Sequence, residues 1–364
     1  MSRSSTSSSE GGTARRSFLK AVVLTLLVLV ATEVLVARSD WVWRAPVDNS
    51  FTAVPVALER VTLRGREQPP VVVVIGSSRT ATAISPARLA HHLGLRADQV
   101  LNLSMPQTSP WDVIWFYRRN RDHLRQAEVC VIGLEEWIGS GSWDGYWARV
   151  IAYGSFEEQL RLAPVDGRPR AWLSATWRSY AALPPAGIYG SRLVMSSAPL
   201  TYAAMIDEEG RYTWEGRGER PPRTEWLEGI PKSFRDQGDY EGEWVPTRVH
   251  FDQLAEAIRL LEADGLKVAL YRPPLCDVYC DLLETHYPQA MPWFLANVEA
   301  MGRPAQIGHR ASEWGMPETM FSDYGHHTPA GEAFLTERLA AFLQREGLGG
   351  PAGGTGEERD GPSS

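Results

Sequence analysis

The sequence predicts an α/β fold built on a parallel sheet, and three observations point there. Val71–Ile75 is an unbroken apolar run, four of its five residues valine, which suits a strand buried on both faces. Runs of strand length then alternate with segments of helical spacing, the rhythm of βαβ units. Helix starts are marked twice by Ser-Pro, at Ser85-Pro86 and Ser109-Pro110, where the serine caps and the proline fits the first helical position.

Taken in order, residues 1–17 are mostly Ser, Gly and Thr and read as a disordered cytoplasmic tail. Residues 18–38 follow as a transmembrane signal anchor. Ala21–Ala37 is largely apolar between Lys20 and Arg38, with Glu33 near its far end where an interfacial position is tolerable; it is near the lower length limit for a span, and Phe18 and Leu19 extend it if Lys20 snorkels. Basic residues before the run orient the remainder of the chain outward. RRSFLK is similar to a twin-arginine export signal, and Leu35-Val36-Ala37 is a mediocre cleavage site, which favours an uncleaved anchor. The expected location is therefore the cell membrane, single-pass, with the C-terminal domain periplasmic or extracellular.

Residues 39–70 read as a connector, and 71–346 as the folded domain. After the first strand, Gly76 allows a tight turn that leaves Ser77-Ser78-Arg79 at the carboxyl edge of the sheet, where ligands gather in open α/β folds. A helix over Ala87–Leu93 stops at Gly94. Gln99–Leu103 is a second strand, and a helix from Ser109-Pro110 runs to about Arg125. Glu128–Leu134 is a third strand. The rhythm breaks over about 137–245, which holds eight of the fourteen tryptophans and reads as an insertion at the active edge. Its tryptophans suit either the core of a loop-rich subdomain or stacking on sugar rings. A helix beginning near His250 ends at Gly265, Lys267–Tyr271 is a fourth strand, and one or two helices fill Val278–Met301. Pro329–Glu346 is the last helix, and 347–364 a disordered tail.

The net charge of −7 gives no support to nucleic-acid binding. Cys130 lies in a strand as packing, while Cys276 and Cys280 are close enough to bridge in an oxidising compartment or to stay free. No C-x-x-C pair occurs, and adjacent histidines at His91-His92 and His326-His327 make a poor metal set, so neither metal nor cofactor is expected. The Val71–Gly76 turn lacks the later glycines of a dinucleotide-binding loop.

Chemistry is suggested by Phe321–Gly331, FSDYGHHTPAG. A carboxylate at Asp323 can hold one nitrogen of His326 and leave the other to take a serine proton. Together with Gly76-Ser77-Ser78 after the first strand, this block resembles the SGNH/GDSL hydrolase-like superfamily over roughly Val71–Leu343, the insertion excepted. The resemblance implies a three-layer αβα sandwich with Ser78 as nucleophile, His326 as base and Asp323 as its partner. It also implies an oxyanion hole from the loops after the second and third strands. The first of these loops offers Asn102-Leu103-Ser104, with Ser104 in the donor position. The second has Glu135 where the family carries asparagine, and Ser77 stands where the family carries aspartate. An ionised Glu135 would repel an oxyanion, and losing one donor costs about 100- to 1000-fold. Three resolutions are open: Arg79 or Asn102 substitutes, Glu135 points away, or the chain is feeble.

The anchor makes the plan most similar to the membrane-bound branch of the superfamily, which includes polysaccharide O-acetylation proteins and the teichoic-acid D-alanyl transfer protein. That implies an acyl-bearing glycan or lipid substrate, a membrane partner protein donating the acyl group, and transfer to a sugar hydroxyl or to water. The competing expectation is an inactive envelope module of the same fold that binds glycan or a membrane partner.

Overall fold

A computed structural model describes residues 18–29, 31, 54–55, 57–64, 66, 68–140, 149, 206–212, 223–236 and 244–349. Its centre is a five-stranded, all-parallel sheet of order β2-β1-β3-β4-β5, formed by Val72–Ile75, Val100–Asn102, Val129–Gly133, Lys267–Arg272 and Ala305–Ile307 as β1 to β5. β1, β2 and β3 are buried along their whole length, which is why they read as plain apolar runs. β5 is a partly exposed edge of three residues, Ala-Gln-Ile. It carries no β-branched run, so the sequence did not announce it.

The helices group on two sides, consistent with a three-layer sandwich. Pro329–Arg345 packs against Pro86–Leu93 and the short Ser78–Ala83, while Val249–Ala263 packs against Pro110–Arg119. In chain order these five are α9, α2, α1, α6 and α3. The other α-helices among the described residues after position 70 are α4 (Arg121–Leu124), α5 (Arg223–Asp236), α7 (Asp277–His286) and α8 (Ala290–Glu299). Local chemistry sets their ends. Ser85 and Ser109 cap α2 and α3 through their side chains, and Gly94 ends α2 with φ 69°. Gly265, just past α6, has φ 90°. The helix expected to reach Arg125 breaks instead at Asn120, whose side-chain amide donates to the Phe116 carbonyl at 3.0 Å and competes with continued winding.

Two expectations change. Ser77-Ser78-Arg79 is not an open turn: Ser77 caps α1, and Ser78 is its first residue. Gly76 is also needed for a different reason, since its φ is not positive. A Cβ there would sit 2.5 Å from Thr80 Oγ1, and one on Gly133 would sit 2.2 Å from the same atom. The two glycines at the ends of β1 and β3 thus make room for Thr80 and draw α1 onto the sheet edge. Cys276 and Cys280 are free thiols, one at the N-cap position of α7 without a side-chain cap bond and the other in its first turn, and Cys130 is buried in β3.

Most of 137–245 lies outside the described residues. The parts that are described dock through buried arginines. Arg149 donates to Asp112 at 2.7 Å and to the carbonyl of Pro106 at 2.6 Å, and Arg211 donates to Glu332 at 2.7 Å. Trp137, Trp226 and Trp244 are buried and belong to the core; the other tryptophans of the stretch lie outside the description. Residues 18–29, in a separate compact unit, are helical with exposed apolar side chains. Among the described residues no helix is long and apolar enough to cross a membrane, and positions 30 and 32–38 of the expected anchor lie outside them.

Candidate active site

Strand order reverses at β1, with β2 on one side and β3 on the other, so the loops leaving β1 and β3 part there. Such a switch point is where open α/β sheets bind ligands. The β1 loop delivers Ser78 to this point. The Ser77 hydroxyl accepts from the Arg79 amide at 3.1 Å and donates to Glu135. That occupies Ser77 with capping, the service an aspartate could give at this position, and leaves Ser78 as the hydroxyl free for other work.

The other half comes from the loop before α9. The Ser322 amide donates to the His326 carbonyl at 2.9 Å, closing a tight loop. Inside it, Asp323 Oδ1 accepts from the amides of Gly325 and His326 at 2.8 and 2.7 Å, and Oδ2 lies 2.6 Å from His326 Nδ1. His326 Nε2 lies 2.8 Å from Ser78 Oγ, joining positions 248 residues apart. With Nδ1–H donating to the carboxylate, Nε2 is left as acceptor for the Ser78 hydroxyl. Burial would raise the Asp323 pKa, but His326 and the two amides outweigh it and hold the carboxyl well below the usual carboxylate range. Gly331 has a steric reason: a Cβ there would come 2.3 Å from the Met320 carbonyl oxygen, which the first turn of α9 overlies.

Behind Ser78 is a buried network of two carboxylates and two guanidiniums. Arg79 Nη1 donates to Glu135 Oε2 at 2.6 Å and to both oxygens of Glu136 at 3.0 Å; Arg272 Nη2 donates to Glu136 Oε2 at 2.7 Å. Burial would lower the Arg79 pKa, yet Glu135 and Glu136 overcome it and raise it. Burial would raise Glu136, yet Arg79 and Arg272 bring it down to about 2. Glu135 goes the other way: burial raises its pKa and neighbouring Glu136 adds to this, more than Arg79 offsets.

Of the groups considered as oxyanion donors, Arg79, the Asn102 side chain and the Ser104 amide are engaged, while the Ser104 hydroxyl has no hydrogen-bond partner among the described residues. Arg79 holds the two glutamates. Asn102 donates to the carbonyls of Ile84 and Thr80 at 2.8 and 3.3 Å, and its oxygen accepts the Ser104 amide at 3.2 Å. Ser104 is fully buried. None of these bonds uses the amide of Ser78.

Two buried imidazoles give the fold a pH dependence. Burial lowers His327 to about 3, helped by His326, and lowers His250 to about 4. Below the ordinary value of 6.5 the unfolded chain takes up protons that the folded one refuses. Stability therefore falls as pH drops from 6.5 toward 4, with a slope approaching about 1.4 kcal/mol per pH unit for each histidine. Urea midpoints between pH 7 and 5 should show this slope and lose part of it in His250→Gln; an unaltered slope in that variant would rule His250 out as a contributor.

No protein-family model matches this chain, and no curated protein is significantly similar to it.

Proposed function

We propose that this chain is an extracytoplasmic serine acyl-esterase or O-acyltransferase of SGNH type, anchored by its N-terminal segment and acting on acyl groups of cell-envelope or extracellular polysaccharide. The observation that carries this reading is the 2.8 Å approach of His326 Nε2 to Ser78 Oγ with Asp323 2.6 Å behind the ring. Ser78 Oγ attacks the acyl carbonyl while its proton passes to His326 Nε2, and Asp323 stabilises the imidazolium that forms. The tetrahedral intermediate collapses as His326 returns the proton to the departing alkoxide, leaving an ester on Ser78. Water or a sugar hydroxyl then repeats the sequence in reverse. The Ser78 amide, first in its helix, is the donor proposed for the oxyanion. Glu135 does not enter as a free charge, because Arg79 and Ser77 hold its carboxylate.

A fluorophosphonate probe tests the reading. Ser78 in the purified full chain should be labelled, with the adduct mapped to that residue, and Ser78→Ala should not be. An unlabelled but folded wild type would favour the second reading, an inactive envelope module that binds glycan or a membrane partner. The occupied state of Arg79, Asn102 and the Ser104 amide is the observation on that side.

A further inference from the structure

We propose that Arg79 is a positioning residue that sets the register between Ser78 and His326, acting on both at once. This rests on the acyl-transfer reading for its consequence in rate, though not for the geometry it predicts.

Arg79 is adjacent to Ser78 in the first turn of α1 and is 5% exposed. One nitrogen of its guanidinium is fixed by Glu135 and Glu136 at the end of β3, so α1 cannot slide along the sheet edge without breaking both contacts. The guanidinium carbon lies 5.1 Å from the Tyr324 ring centre and 5.9 Å from that of Tyr279. The two rings stack on each other at 4.3 Å with 15° between planes. Tyr324 stands between Asp323 and Gly325 in the loop that presents His326, and its carbonyl accepts the Cys276 amide at 3.1 Å. Gly325 completes the fit: a Cβ there would be 2.7 Å from Arg79 Nε. One side chain therefore fixes the nucleophile's helix against β3 at its charged end and supports the histidine loop along its flat face.

A lysine keeps the charge and loses the function. Its ammonium has no plane on which Tyr324 can rest, and its nitrogen falls one bond short of the place where Arg79 Nη1 meets both glutamates. Gly325→Ala perturbs the same contact from the loop side without stranding any charge. The double variant Arg79→Met with Glu135→Gln removes the plane while keeping the buried charges balanced against Glu136 and Arg272.

The test reads geometry apart from turnover. In a Ser78→Cys background, the pH dependence of iodoacetamide alkylation reports the thiol's pKa, which a nearby imidazole depresses from about 8.5. Adding Arg79→Lys, Gly325→Ala or the balanced double substitution should move that profile upward by about one pH unit as the thiol and imidazole separate. With Ser78 retained, the same changes should slow fluorophosphonate labelling by about tenfold or more. A residue that serves only stability would lower the unfolding midpoint and leave the alkylation profile in place. If the wild type is not labelled but the thiol profile moves, the positioning role stands and the acyl-transfer reading fails. Folded Gly325→Ala or double variants with an unmoved profile overturn the proposal. So does failure of every variant to fold, which would make Arg79 a support of the fold and not of the register.

Discussion

His326→Ala is expected to slow labelling of Ser78 by about 10⁴-fold or more, because it removes the base that bonds the hydroxyl among the described residues. Asp323→Asn should do comparable damage, about 10⁴-fold, while disturbing the loop very little. The reason lies in how the two carboxylate oxygens divide their work. Oδ1 accepts the amides of Gly325 and His326, and an asparagine oxygen can do the same. The asparagine NH2 would then face His326 Nδ1 in place of Oδ2, donor against donor. The ring can relieve that only by moving its proton to Nε2, which turns the intended acceptor toward Ser78 into a donor. Members of such a unit fail together, so His326→Ala combined with Asp323→Asn should be no slower than His326→Ala alone. Labelling rates measured on chains with matched unfolding midpoints decide the matter. Either single variant retaining a rate within tenfold of wild type would remove that residue from the proposed mechanism.

What the sequence made legible follows the range over which each feature is determined. The Asp323–His326 contact spans three residues, and the capping serines and the left-handed Gly94 and Gly265 act within one turn, so local pattern reveals them. The buried strands β1 and β3 announce themselves because the sheet covers both faces, and no alternation is needed. Helix α1 was hidden: Ser-Arg-Thr-Ala-Thr-Ala has no apolar period, and Thr80 can seat only because glycines 76 and 133 arrive from two different strands. Arg79 was equally opaque. In the sequence it offers only a substitute oxyanion donor beside Ser78, and its partners lie 56 and 57 residues on. The part played by the glutamate in the asparagine position stays open in the sequence for the same reason, since nothing local says that an arginine and a serine will hold it. The distant pairing of Ser78 with His326 was reachable only through the family resemblance that two short patterns carry together.

That buried network is also where a single conservative change should unsettle the fold most. Glu136→Gln is expected to destabilise the protein by about 3–5 kcal/mol, the usual result of removing one partner of a buried ion pair. Glu136 and Arg272 are both fully buried, and Glu136 serves Arg79 as well. A glutamine keeps the shape and one acceptor oxygen but removes the negative charge facing Arg272, whose other contacts among the described residues are the Gly308 carbonyl and the face of Phe294, 5.8 Å from its guanidinium carbon. Water cannot reach in to replace the lost carboxylate. Changing both partners, Glu136→Leu with Arg272→Met, strands less charge at that end and should cost less than the single change, although Arg79 then relies on Glu135 alone. Urea unfolding of the full chain in detergent measures each difference. A Glu136→Gln loss below about 1 kcal/mol would mean that the site behind Ser78 admits water, and the low-dielectric surroundings invoked for Arg79 and Glu135 would have to be abandoned with it.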